Sequence, residues 1–167
     1  MNQLEAFKEI KTFIFDVDGV LTDSSVLVLE DGKLLRKMSI RDGYAIKKAV
    51  KKGYKVCVIT GGKSEGVKIR LQGLGVTDIY LGASEKEECY EEYINIYGLN
   101  PDQIIYMGDD VPDLPVMRRV GLPVCPHNAA PEILSVAKYV SPLKGGEGCA
   151  RDVIEKVLRL NGHWEEE

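Results

Sequence analysis

The chain has 167 residues, 44% apolar and 29% charged, with a formal net charge of -4. That length suits one domain over 1–167 with a sizeable core, an acidic surface repels nucleic acid, and no apolar stretch approaches the roughly 20 residues that cross a bilayer. The first eleven residues lack the apolar core of a signal peptide, and Cys57, Cys89, Cys125 and Cys149 form no CxxC pair, so free thiols and a cytoplasmic location are expected.

In chain order, Phe13-Ile14-Phe15 is the first short apolar run. Val26–Leu29 and Lys33–Met38 then flank Glu30-Asp31-Gly32. An Asp-Gly turn between two β-like runs predicts a hairpin over about 25–38. Ala45, Ile46, Ala49 and Val50 form a helical stripe, followed by the strand-like run Val56–Ile59. Val67, Leu71 and Leu74 form the next stripe, followed by Ile79-Tyr80-Leu81. A third stripe, Cys89, Tyr90, Tyr93, Ile94 and Tyr97, precedes Ile104–Met107. Pro123–Pro126 reads as a short strand, and Val153, Ile154, Val157 and Leu158 as the last helix. Strand alternating with helix predicts an α/β doubly wound, mostly parallel sheet. Residues 161–167 end in three glutamates and are expected to form a mobile acidic tail.

The strand ends carry the chemistry. In an open parallel sheet, ligands bind outside the carboxyl ends of the strands. The first strand runs into Asp16-Val17-Asp18-Gly19. Residues two apart in extended chain point the same way, so Asp16 and Asp18 can address one site. The second ends in Thr60-Gly61-Gly62, a hydroxyl and free N–H groups at a helix start that suit anionic oxygens. Lys86 follows the third strand, where it could offset carboxylate charge. The fourth ends in Gly108-Asp109-Asp110-Val111-Pro112-Asp113, a second acidic cluster suited to a hard cation. Alone, each motif has a bland reading: an acidic turn, a glycine-rich turn, a surface lysine. Together they match phosphoryl transfer through an aspartyl-phosphate. A receiver-type signalling domain would place its acceptor Asp after the third strand, where this chain has Leu81-Gly82-Ala83.

Asp16-x-Asp18-x-x-x-Thr22, Thr60, Lys86 and Gly108-Asp109-Asp110-x-x-Asp113 resemble the four signatures of the haloacid dehalogenase superfamily. Arg41-Asp42-Gly43-Tyr44, Pro115-Val116-Met117 and Gly145-Gly146-Glu147-Gly148 extend the resemblance to its 3-deoxy-D-manno-octulosonate 8-phosphate phosphatases and the related 9-phosphate phosphatases of nonulosonates. The resemblance implies that Asp16 is nucleophile and metal ligand. It implies that Asp18 is general acid and then base, with its carbonyl on Mg2+. Thr60 and Lys86 would hold the phosphoryl group. Asp109 would complete the protein ligands, supported by Asp110 and Asp113. Substrate contacts would come from Asp18, Ser39, Ile40, Arg41, Asp42, Gly43, Lys47, Gly62, Arg70 and Lys86. Gly62 and Lys47 stand where arginines are usual in that family, which leaves Arg41 and Arg70 as guanidinium partners for a sugar-acid carboxylate.

The intervals between signatures have no room for a cap domain. The resemblance accordingly implies a homotetramer, with each hairpin at a neighbour's active site. Other outcomes of the same sequence are a nonulosonate 9-phosphate phosphatase, a phosphotransferase or phosphomutase, and a catalytically silent binding module. The last would have lost one of Asp16, Asp18, Lys86 or Asp109. His127 and His163 have no partners at metal-ligand spacing.

Overall fold

A computed structural model describes residues 2–165. Six parallel strands form the sheet: β1 (Thr12–Phe15), β4 (Lys55–Ile59), β5 (Asp78–Tyr80), β6 (Ile104–Met107), β7 (Leu122–Cys125) and β8 (Tyr139–Val140). Their order is β5-β4-β1-β6-β7-β8, with β1 near the centre. The hairpin strands β2 (Leu27–Val28) and β3 (Leu34–Leu35) pair antiparallel in a separate sheet.

Alternation within each strand builds two cores. Phe13, Phe15, Val56, Val58, Ile105 and Met107 face one side. There they meet α1 (Gln3–Lys8), α2 (Ile40–Lys51), α3 (Glu65–Gly73) and α7 (Cys149–Leu160). Ile14, Cys57, Ile59, Ile104 and Tyr106 face the other side, against α4 (Lys86–Tyr97), α5 (Leu114–Met117) and α6 (Pro131–Val136). Strands buried on both faces are the reason these segments read as unbroken apolar runs. Phe13 and Phe15 stack with ring centroids 6.2 Å apart, the i, i+2 relation of one strand face.

The doubly wound parallel fold and the hairpin agree with the expectation. Within the stretch expected as a mobile tail, Trp164 is a large apolar side chain with a place to go. It is 7% exposed, edge-on to Tyr44 at 5.9 Å, and has Arg151 over its ring. Tyr54 hydrogen-bonds His163 Nδ1 at 2.8 Å. The last two glutamates of the expected tail lie outside the described residues. Cys57, Cys125 and Cys149 are buried and Cys89 is partly so, all as free thiols.

Candidate active site

The carboxyl ends of β1, β4 and β6 and the start of α4 converge on one acidic cluster. Asp16 follows directly on β1 and is buried. Its Oδ1 accepts the Val17 N–H at 2.7 Å and lies 3.0 Å from Lys86 Nζ. Lys86 is the first residue of α4 and is only 8% exposed. Its ammonium also donates to Asp113 Oδ1 at 2.8 Å.

Asp113 is fully buried and takes four hydrogen bonds. Oδ1 accepts from Lys86 and from the Tyr106 hydroxyl at 2.6 Å. Oδ2 accepts the backbone N–H groups of Asp109 at 3.0 Å and Asp110 at 3.3 Å. Asp113 therefore fixes both the lysine and the acidic loop. Exposed Asp110 caps its own short turn through Val111 N–H at 2.8 Å. Gly19, with φ 91°, sits where a Cβ would fall 1.8 Å from Asp109 Oδ2, so no side chain fits beneath that carboxylate.

These charges strain one another. Burial raises Asp16 well above its ordinary range, helped by the Asp113 charge and opposed by Lys86. Burial likewise pushes Asp109 up to about 6, again with Asp113 adding to it. Burial alone would lower Lys86, but Asp16 and Asp113 more than offset it and leave it raised. Carboxylates packed this densely call for a cation. Oxygens of Asp16, Asp109 and Asp113 lie within 4.8 Å of one another. With Asp113 already taking four donors, Asp16 and Asp109 are the pair whose donor chemistry fits a hard divalent ion.

Asp18 sits at the outer edge. Its Oδ1 accepts from Thr22 Oγ1 at 3.4 Å, and Thr22 Oγ1 itself accepts the Gly19 and Ser24 N–H groups at 3.3 and 3.2 Å. Thr22 thereby couples the turn after β1 to the Asp18 side chain. Thr60 is buried and accepts the Gly62 N–H at 3.1 Å.

The expected substrate contacts divide. Ile40 and Arg70 line a groove of about 450 Å³ between the hairpin and α3. Arg70 Nη2 reaches the Ser39 carbonyl at 3.4 Å, and a Cβ on Gly43 would fall 2.7 Å from that nitrogen. Ser39 uses its hydroxyl to cap α2, accepting Asp42 N–H at 3.2 Å. Arg41 and Lys47 are exposed along α2.

Asp42 is 2% exposed, and its Oδ1 accepts the Arg151 N–H at 2.9 Å in the first turn of α7, so it ties α2 to α7. An anion at a helix N-terminus is favourable, yet burial lifts its pKa to about 6. Sequence reasoning also passed over Arg36, just after β3. Its Nε and Nη2 donate to Asp18 Oδ1 and Oδ2 at 2.8 and 3.1 Å. Tyr106 was counted only as an apolar strand residue.

Residues 67–151 match the haloacid dehalogenase-like hydrolases. The chain is 36% identical over 159 residues to the 3-deoxy-D-manno-octulosonate 8-phosphate phosphatase of Escherichia coli K12, covering 95% of this chain and 85% of the relative. It superposes with a TM-score of 0.93 on the Yersinia pestis phosphatase of the same name, at 35% identity over 96% of this chain and 86% of that one. A Moraxella catarrhalis phosphatase, solved in complex with magnesium ion, phosphate ion and a KDO molecule, gives a TM-score of 0.90 at 29% identity, covering 94% and 90% of the two chains. Fold, extent of match and the acidic cluster agree, and the chain belongs to the haloacid dehalogenase-like hydrolase family.

Proposed function

We propose that this chain hydrolyses 3-deoxy-D-manno-octulosonate 8-phosphate to the free sugar acid and phosphate, a step in making a lipopolysaccharide precursor. The observation that carries the reaction is the buried Lys86 held between Asp16 and Asp113, beside Asp109. The similarity over 95% of the chain to an octulosonate phosphatase carries the substrate.

In this reading an Asp16 oxygen attacks phosphorus and the bond to the C8 oxygen breaks. Asp18 gives that oxygen its proton. The Asp18 carboxylate then takes a proton from water, which attacks the aspartyl-phosphate and frees phosphate and Asp16. Thr60 and Lys86 hold the phosphoryl oxygens. Asp16, Asp109 and the Asp18 carbonyl would hold Mg2+, with Asp113 positioning the loop. Bound there, the ion neutralises carboxylate charge and polarises the phosphoryl group. Ile40, Arg41, Gly43, Gly62 and Arg70 surround the sugar acid, with Ser39 through its carbonyl and Lys47 at the rim.

The hairpin supplies the second part of the proposal. Leu27 and Val28 are each 63% exposed, and Leu34 and Leu35 stand out beside them. An exposed apolar hairpin is an aggregation hazard unless covered. A homotetramer in which each hairpin closes a neighbour's site covers it, and the enzyme works in the cytoplasm. Among the described residues no helix is long and apolar enough to cross a membrane.

Phosphate release across a panel of sugar phosphates tests the activity. Turnover should be highest on the octulosonate phosphate, vanish in excess chelator and return with magnesium. Full activity in chelator, or a preference for hexose phosphates, would contradict the reading. Light scattering of the active enzyme should give four chains; a fully active monomer would remove the lid.

A further inference from the structure

The hairpin contributes more than apolar surface. Arg36 lies one residue beyond β3, and its side chain is only 10% exposed. Its guanidinium forks onto both oxygens of Asp18, at 2.8 and 3.1 Å. It also passes over Gly62. A Cβ at Gly62 would lie 3.2 Å from Arg36 Nη2, 3.5 Å from Thr60 Oγ1 and 3.6 Å from Asp18 Oδ2. The guanidinium, the phosphoryl-holding hydroxyl and the proton-transfer carboxylate therefore meet around one glycine, and a larger side chain there would press on Arg36.

This contact conflicts with the work assigned to Asp18. An acid that protonates a leaving oxygen needs a proton and a free oxygen. A bidentate arginine occupies both oxygens, so neither is free to meet the leaving group. The pair must open before the first step. Arg36 lines the same 450 Å³ groove as Arg70, and its guanidinium joins that groove to Asp18, beside which the leaving sugar must lie. An opened Arg36 is a partly buried cation that needs another anion. A neutral leaving group offers none; a carboxylate on the leaving group offers the same fork partner that Asp18 gave up.

We propose that Arg36 is a specificity-determining residue, exchanging the Asp18 carboxylate for the carboxylate of a sugar-acid phosphate, so that the acid group of the substrate frees Asp18 for catalysis. This assignment rests on the proposed function and names a residue for its selectivity. It couples recognition of the leaving group to the readiness of the acid. Substrates without a second anion leave the latch closed and react slowly, although their phosphate fits.

The test compares kcat/KM for 3-deoxy-D-manno-octulosonate 8-phosphate with that for D-arabinose 5-phosphate, a phosphorylated sugar without a carboxylate. In R36A the preference for the acid should fall by about tenfold or more, the scale of a lost hydrogen bond to a charged group. The acid substrate should lose rate, and the neutral one should gain because Asp18 is no longer held. R36K keeps the charge but not the fork, and should restore part of the preference. A preference unchanged in R36A overturns the assignment, as do equal losses on both substrates, which would place Arg36 on the phosphoryl group or in the fold. The two failures separate. A wild type without preference for the acid removes the substrate reading and this assignment together; a preference that survives in R36A removes the assignment alone.

Discussion

The two sides of the active site are built differently. On the inner side, Asp16, Lys86 and Asp113 are buried in a chain of short polar contacts, rooted in β1, β6 and the start of α4. On the outer side, the hairpin and the ends of α2 and α3 surround an open groove. There Leu27, Val28, Leu34, Leu35 and Ile40 face solvent, and the main polar contacts are Arg36 to Asp18 and Arg70 to a carbonyl. The difference fits the division of labour. Phosphoryl transfer needs groups held at fixed positions and needs little motion from them. Selecting a leaving group, and releasing it, needs contacts that open. The polar contacts of the inner side are made within one chain, while the outer side leaves apolar side chains exposed, which the proposed tetramer would cover.

The largest effect should come from replacing the proposed nucleophile. Asp16→Asn keeps the shape and loses the attacking charge. Turnover should fall by about four orders of magnitude or more, as it does when a covalent catalyst is lost, while circular dichroism shows a folded protein. Appreciable activity in this variant would move the chemistry elsewhere.

Asp113→Asn asks whether the inner side is rigid because of its polar chain. The amide cannot accept all four of the hydrogen bonds that the carboxylate takes. Breaking a buried ion pair costs about 3–5 kcal/mol, so the denaturation midpoint should drop. The rate constant should fall on the order of 10²-fold as Lys86 loses its position. Normal stability with normal rate would mean that Asp113 is a bystander.

Asp42 gives the smallest effect and the cleanest pH signature, because it lies beneath the groove and outside the chemistry. Its folded pKa of about 6 lies above the ordinary 3.8. The folded state therefore binds this proton more tightly than the unfolded chain does. Stability from this group is complete below pH 3.8, falls as pH rises toward 6, and is gone above it. Asp42→Asn lacks that dependence. The stability difference between variant and wild type should move in the variant's favour by roughly 3 kcal/mol across that interval. A difference that stays flat, or moves the other way, would show that the Asp42 charge is well accommodated.

The inner side was legible in the sequence and the outer side largely was not, for physical reasons. Asp16, Thr60, Lys86 and Asp109 each follow a strand whose apolar run is plain, and a parallel sheet brings its strand ends together. The hairpin announced itself through Asp31-Gly32. Arg36 did not, because its partner is 18 residues away across a loop and no periodicity links them. Tyr106 looked like one more apolar strand residue, since its hydroxyl matters only once Asp113 is folded beneath it. The contact of Asp42 with α7 was equally invisible, since it runs to a backbone N–H 109 positions along the chain. Strand β8 and helices α5 and α6 span two to six residues, too short to show a period.

In the proposed reaction Asp16 carries the phosphoryl group during turnover. Enzyme turning over 3-deoxy-D-manno-octulosonate 8-phosphate with magnesium, quenched in acid within one catalytic cycle, can be digested and the peptide holding Asp16 weighed by mass spectrometry. A phosphoryl adduct should appear on Asp16 before steady state and be absent from Asp16→Asn. Phosphate release with Asp16 unmodified at every quench time, or an adduct on another residue, would contradict it.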